Sequence, residues 1–434
     1  MVWSKKSLHE LAKESLSEYK FIVVSNREPY IHRRTEKGIE CIRPASGMAA
    51  AIDPMMRACG GIWIAHGGGD ADRETADSKG RILVPPENPM YTLRRIWLTK
   101  ELEKGYYYGL ANQGIWPLCH VVFRRPIFKP LDWEHYRRVN HLFAEAVLEE
   151  AGEDPAFVFI QDYHFALLPR ILKNRNPKII VSQFWHIPWP NREIFRAFPW
   201  QEELLDGMLG NDLLGFHLRY HCQNFLDTVD SCIEAKVDHE LSNIVRGGRR
   251  TSVQAFPISI DFENYSTQAR SGAVQSLMEY WRDKLRLGDM SVGIGIDRID
   301  YTKGIPERLR ALDLFLQRHP EYRRRIHFIQ IAVPSRIHIP EYRHLSTEID
   351  SLVERINSEW RSDNWLPISL LKEHQDSVAM MALHRLSDFC MVTSLHDGMN
   401  LVAKEFVSSR FDEGGMLILS RFTGSARELL DALL

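Results

Sequence analysis

Short β-branched or aromatic runs at 21–25, 61–64, 119–123, 157–160, 178–184, 253–258, 291–296, 325–332, 388–393 and 415–420 recur between stretches of helical character. That alternation predicts an α/β chain built on parallel sheets with crossover helices. A length of 434 residues exceeds one ordinary core, and 44% hydrophobic residues can fill two. The least regular region runs from about Val237 to Asp261, where a Gly-Gly-Arg-Arg patch precedes Ala255-Phe256-Pro257-Ile258. A boundary there predicts two Rossmann-like domains, 1–257 and 258–434, facing a cleft. The chain ends just after Ser425-Ala426-Arg427-Glu428-Leu429-Leu430 begins a helix. The second domain therefore reads as truncated at its C-terminal helices.

A formal charge of −2 without a long basic run removes the electrostatic footprint of a nucleic-acid binder. The six cysteines show neither CxxC nor CxxH spacing and read as reduced core residues of a cytoplasmic protein. No apolar run approaches the ~20 residues that span a bilayer, and no signal peptide is apparent. Residues 3–19 place Trp3, Leu8, Leu11, Leu16 and Tyr19 at roughly helical spacing, an amphipathic helix expected to dock on its own domain. No membrane partner is expected, and self-association into a homo-oligomer stays open.

Several strand ends carry residues suited to chemistry. After Asp388-Phe389-Cys390-Met391-Val392-Thr393, the stretch Asp397-Gly398-Met399-Asn400-Leu401-Val402 leads into a helix containing Glu405. Unpaired N–H groups at a helix start suit a diphosphate, Gly398 allows close approach, and the two acids can take sugar hydroxyl hydrogens. Arg298 and Lys303 follow another strand, where positive charge would stabilise a departing diphosphate. An Arg–Asp pair tying down the loop, with Asp300 as partner, is the competing structural reading. Arg27 ends the first strand, and Ser46-Gly47 opens an apolar helix, Gly47 serving either as a cap or as a phosphate contact. Tyr107 and Trp116 lie in an aromatic segment too interrupted by Gly, Asn and Pro for a regular core helix, and aromatic faces suit sugars. Asp162 and His164 end one strand and His186 the next, a set favouring hydroxyl recognition over metal ligation. Asp70-Ala71-Asp72 after three glycines reads better as a surface turn than as a divalent-metal motif.

Taken in order, Ser25-Asn26-Arg27, Trp116-Pro117-Leu118, Asp162-Tyr163-His164, His186-Ile187-Pro188, Asp212 to Phe216, Arg298 to Gly304, Gln330 to Arg336 and Asp397 to Glu405 resemble the trehalose-6-phosphate synthase family of retaining glycosyltransferases. The resemblance implies a GT-B architecture, with acceptor held mainly by the N-terminal domain and a nucleotide sugar, UDP-glucose, mainly by the C-terminal one. It implies that Arg27, Tyr107 and Arg336 hold the acceptor phosphate, Trp116 lines the acceptor sugar, and Asp162 takes an acceptor hydroxyl. His186 would sit beside the reacting sugars, and Gly47, Arg298 and Lys303 around the donor diphosphate. Asp397 would bind hydroxyls of the transferred glucose, with Gly398 to Val402 against the donor and Glu405 on the ribose. The family uses neither metal nor cofactor, and no residue here stands out as a covalent nucleophile.

Departures matter for the acceptor more than for the donor. Ser46-Gly47 stands where the family usually has Gly-Gly, His66 followed by Gly67-Gly68-Gly69 where it often has a second tryptophan, His396 where it has arginine, and Ser259 where it has glycine. Asn26 to Tyr30 and Gly215-Phe216-His217 also look similar to glucosylglycerol-phosphate synthases. The leading expectation is glucosyl transfer to glucose 6-phosphate, making trehalose 6-phosphate. The alternatives are the same transfer to glycerol 3-phosphate or another phosphorylated acceptor, and a non-catalytic regulator that binds sugar phosphate.

Overall fold

The structure, a computed structural model, describes residues 5–44, 47–362 and 365–434, so Trp3 and Ser46 lie outside the described residues. The chain divides into two compact units, Met1–Phe256 and Pro257–Leu434. Each is built on its own sheet.

In the first unit the strands run in the order Lys236–Asp238, Asn243–Arg246, Arg249–Ala255, Leu213–Phe216, Ile180–Phe184, Ala156–Gln161, Lys20–Arg27, Ile62–His66, Tyr91–Ile96, Arg81–Val84. Its centre is parallel, and antiparallel partners close both edges. From Lys20–Arg27 the chain first builds toward Ile62–His66 and only later returns to Ala156–Gln161 on the other side. The strand order therefore reverses beside Arg27, the position at which open α/β sheets leave a crevice. Phe21, Val23, Trp63, Ala65 and Leu93 fill one face, and Leu16, just beyond the helix Lys5–Ser15, packs against them.

Several local expectations differ from what forms. The run 119–123 is not a strand: Trp116–His120 is helical and Val121 turns left-handed at φ 52°. A short apolar run has no periodicity that separates strand from helix. The interrupted aromatic segment is a continuous π-helix, Lys104–Ile115. Its glycines are packing residues, since a Cβ on Gly109 would lie 2.4 Å from Asp132 Oδ2 and one on Gly105 2.1 Å from His135 Nδ1. They let the helix Pro130–Ala151 approach closely. The region beginning at Val237 is a regular antiparallel edge, with Gly247 and Gly248 (φ 57° and 74°) forming the turn between Asn243–Arg246 and Arg249–Ala255.

The second unit has a wholly parallel sheet in the order Ile368–Leu371, Ile326–Val333, Ser291–Arg298, Phe389–Val392, Met416–Leu419. Order reverses between Ser291–Arg298 and Phe389–Val392. The expected helix from Ser425 is only a 3₁₀ turn, Gly424–Arg427, after which Leu433 bridges to Ile418. Among the described residues, no helix is long and apolar enough to cross a membrane.

His384, on the helix Ser377–Leu386, is fully buried against Phe406, with no hydrogen-bond partner on either ring nitrogen among the described residues. Burial pulls it down from 6.5 to about 3. Because the folded value lies below the unfolded one, its contribution to stability is intact above about pH 6.5 and is lost as pH falls toward 3. His384→Leu should therefore spare the protein roughly 2 kcal/mol of the stability lost between pH 6.5 and 5, at about 1.4 kcal/mol per pH unit. Urea unfolding of both proteins at the two pH values measures that difference.

Candidate active site

The first unit gathers its constellation at the carboxyl ends of its central strands. Pairing of Lys20–Arg27 with Ile62–His66 shifts register between Ser25 and Arg27, a bulge of the kind that re-aims a side chain. Arg27 Nη2 lies 3.2 Å from the Tyr107 hydroxyl. The Tyr107 ring stacks on His164 with centroids 5.6 Å apart. Trp116 sits 4.1 Å from the His120 ring and 5.9 Å from that of Tyr163. Tyr163 OH donates to Asn112 Oδ1 at 2.9 Å, and Asn112 Nδ2 donates to the Tyr107 carbonyl at 2.7 Å. The π-helix is thus tied to the strand-end segment, and such helices recur at functional sites.

Asp162 follows Ala156–Gln161 with φ 71° and ψ 179°, a region costing a non-glycine residue about 1–3 kcal/mol. Hydrogen bonds hold it there. Its N–H donates to Phe184 O at 2.7 Å, its carbonyl accepts from Gln183 Nε2 at 3.0 Å, and its carboxylate accepts from the His186 N–H at 3.1 Å. His186 Nε2 meets Gln161 Oε1 at 2.9 Å. Burial pulls this imidazole down to about 4, so it is neutral at neutral pH. With Nε2–H donating to Gln161, Nδ1 keeps its lone pair, and the ring is equipped to orient hydroxyls rather than to deliver protons.

In the second unit Arg298 closes its strand and Lys303 ends a 3₁₀ turn, Tyr301–Lys303, capped by the Asp300 carboxylate. Lys303 Nζ lies 2.5 Å from Asp397 Oδ2, which also accepts from Asn400 Nδ2 at 3.2 Å and Ser394 Oγ at 3.3 Å. Asn400, at φ 80°, caps the helix Leu401–Ser409 by accepting from the Ala403 N–H. Gly398 and Met399 therefore belong to the loop before the helix, while Leu401 and Val402 supply its first N–H groups. Glu405 lies on the same helix, and burial pushes its carboxyl up to about 7.

Arg336 takes a left-handed φ of 49°, with Nη1 2.6 Å from both Asp300 Oδ2 and the Tyr342 hydroxyl. Burial works against the Asp300 charge, yet Arg336 and Arg298 hold it below the ordinary carboxylate range. Asp300 is thus the partner of Arg336 and the cap of the Lys303 turn together. Gly47 opens the helix Gly47–Cys59 of the first unit and is exposed.

The residues beneath these constellations carry no motif in the sequence. Arg308 is buried and donates to Asp297 Oδ2 at 2.8 Å, Gln330 Oε1 at 3.0 Å and Thr393 Oγ1 at 3.0 Å. One guanidinium ties together residues of two adjacent strands and the residue that follows a third. Asp72, expected on a surface turn, is fully buried and paired with Arg95 at 3.0 Å, while Asp70 accepts from the Arg34 N–H at 2.9 Å. Both acids are occupied by the fold. Buried polar partners of this kind rarely show in sequence, because charged residues in a polar run ordinarily face solvent.

The chain is similar to known proteins in sequence and in fold. The sequence profile of glycosyltransferase family 20 matches residues 19–434. The chain is 36% identical over 425 residues to the bifunctional trehalose-6-phosphate synthase/phosphatase of Thermoproteus tenax, covering 95% of this chain and 56% of that protein. It thus spans little more than half of that relative's length. The E. coli trehalose-6-phosphate synthase bound with UDP-2-fluoro glucose superposes with a TM-score of 0.82 at 29% identity, over 95% of this chain and 87% of that one. The UDP-forming α,α-trehalose-phosphate synthase of Burkholderia xenovorans in complex with glucose-6-phosphate gives 0.84 at 29% identity, over 95% and 88%. The fold is that of these GT-B structures. With its strand-end cations and acids on two Rossmann-like units, the chain belongs to glycosyltransferase family 20.

Proposed function

We propose that this chain transfers glucose from UDP-glucose to glucose 6-phosphate with retention, giving α,α-trehalose 6-phosphate and UDP. The observation that carries the reading is the Lys303–Asp397 pair at the order reversal of the second sheet. It puts a cation for a departing diphosphate beside an acid for sugar hydroxyls. The bound UDP-2-fluoro glucose of the E. coli relative and the glucose-6-phosphate of the Burkholderia relative support the choice of substrates. Six unpaired thiols suit a reducing cytoplasm.

In this reaction the bond from glucose C1 to the phosphate oxygen breaks, its electron pair leaving on that oxygen. The acceptor's anomeric hydroxyl bonds to C1 on the same face, and its proton passes to the departing phosphate oxygen. Arg298 and Lys303 stabilise the developing charge, with the N–H groups of Leu401 and Val402 adding a fixed dipole. Asp397 and Glu405 hold glucose and ribose hydroxyls. Asp162 takes an acceptor hydroxyl, the neutral His186 orients another, and Trp116 covers the acceptor ring. Arg27 and Tyr107 hold its phosphate, to which Arg336 adds a cation. Every proton in this route is accounted for by substrate.

Arg27→Ala should raise the KM for glucose 6-phosphate at least tenfold while calorimetry finds UDP-glucose binding unchanged, a charged hydrogen bond contributing about 1.5–3 kcal/mol. Equal loss of both affinities contradicts the assignment. Comparing UDP release with glucose 6-phosphate and glycerol 3-phosphate as acceptors tests the substrate itself. A second test uses Glu405: below about 7 its carboxyl is protonated, so the donor KM should rise as pH falls from 8 to 6. Glu405→Gln should bind donor more weakly, with that pH dependence gone.

A further inference from the structure

Arg27 is held at its backbone from two sides. On one side Ser25 Oγ donates to the Arg27 carbonyl at 2.6 Å and accepts from Trp63 Nε1 at 2.8 Å. On the other, Glu28 is 2% exposed, its Oε1 accepting from the Gly68 N–H at 2.9 Å and its Oε2 from Arg95 Nε at 2.7 Å. Arg95, itself 1% exposed, also donates to Tyr30 O at 3.1 Å and to His32 Nδ1 at 2.8 Å. Asp72 accepts from the His32 N–H at 2.7 Å and from the Gly69 N–H. A single buried cluster therefore fixes the turn after Arg27, the start of the hairpin strand Ile31–Thr35 and the 67–72 loop. Buried ion clusters are costly to assemble, and their best-attested use is to fix one conformation.

We propose that Glu28 is a positioning residue for Arg27: held by Arg95 and the Gly68 N–H, it sets the 26–32 turn so that the guanidinium meets a phosphorylated acceptor. The inference rests on the acceptor role given to Arg27 above. Glu28 touches no substrate in this account and acts only through the turn.

The cluster also gives the turn a pH signature. Burial, then the neighbouring Asp72, pushes Glu28 from 4.5 up to about 8. Burial opposes the Asp72 charge too, but hydrogen bonds from Glu28 and the His32 N–H leave it below its ordinary value. Burial and Arg95 lower His32, consistent with Nδ1 accepting from Arg95, and burial raises the Cys41 thiol on the facing strand. With Glu28 protonated, the cluster pairs one cation, Arg95, with one anion, Asp72. An opened turn would expose an ordinary carboxyl, so opening releases a proton. It becomes easier by up to tenfold per pH unit between about 4.5 and 8 and levels off above.

Two measurements test the proposal. Hydrogen exchange of the 28–34 amides without ligand, expressed relative to intrinsic rates, should lose protection at least tenfold between pH 6 and 8 in the wild type. In Glu28→Gln, which keeps the shape but has no proton to lose, protection should be constant. Separately, Glu28→Leu should raise the glucose 6-phosphate KM at least tenfold with kcat within threefold and UDP-glucose affinity unchanged. If Glu28→Gln shows the wild-type pH dependence, or Glu28→Leu weakens donor and acceptor alike, the positioning role is overturned. Exchange needs no turnover, so inactivity toward every acceptor would sink the functional reading while leaving the turn's behaviour measurable.

Discussion

Lys303→Met is expected to lower kcat by about a hundred- to a thousandfold, the usual cost of losing one preorganised group that meets charge in the transition state. Lys303 Nζ is placed by the capped turn Tyr301–Lys303 and by its 2.5 Å contact with Asp397, each side chain only 14% exposed. In so enclosed a site its charge would act on a leaving diphosphate with little screening. Donor binding should weaken much less, because Arg298 and the N–H groups before Ala403 are proposed to hold the ground-state diphosphate as well. Single-turnover rates with UDP-glucose and calorimetry of UDP binding separate the two effects. A parallel loss of rate and UDP affinity would assign Lys303 to uniform binding instead. Lys303→Arg should recover little, since a planar fork does not replace a compact ammonium.

Arg308→Met should destabilise the second unit by about 3–5 kcal/mol, the typical cost of stranding a buried partner. Arg308 is 1% exposed and its removal leaves Asp297, Gln330 and Thr393 without their shared donor. Burial already raises Asp297, and Arg308 is the chief group opposing that rise. Asp297→Asn in the same chain should recover part of the loss, because it removes the uncompensated charge. Thermal unfolding of the single and double variants reads this directly, and equal midpoints for both would show that Asp297 is not the stranded group.

The positions of Arg27, Asp162, His186, Arg298 and Asp397 were legible because each follows a β-branched run, and parallel strands deliver such residues to one edge. The sheet order could not be read that way. Strands such as Arg81–Val84 and Asn243–Arg246 are only four residues long, too short for an alternating pattern to announce them. The π-helix at Tyr107 escaped because its period differs from the 3.6 that sequence patterns reveal, and its glycines look like breaks until the helix Pro130–Ala151 is seen against them. Glu28, Asp72, Arg95 and Arg308 escaped for another reason. Burial of a charge depends on partners distant in sequence, Arg95 lying 67 residues from Glu28 and Arg308 85 from Thr393. The residues proposed to meet substrate were thus easier to find than those that hold them.

The most direct test is to incubate the purified chain with UDP-glucose and glucose 6-phosphate and to assign the product by NMR. Retaining transfer to glucose 6-phosphate gives UDP and one disaccharide phosphate in equal amounts, with both anomeric protons showing α couplings, and no UDP without acceptor. A β coupling, UDP release indifferent to glucose 6-phosphate, or transfer only to glycerol 3-phosphate would contradict it.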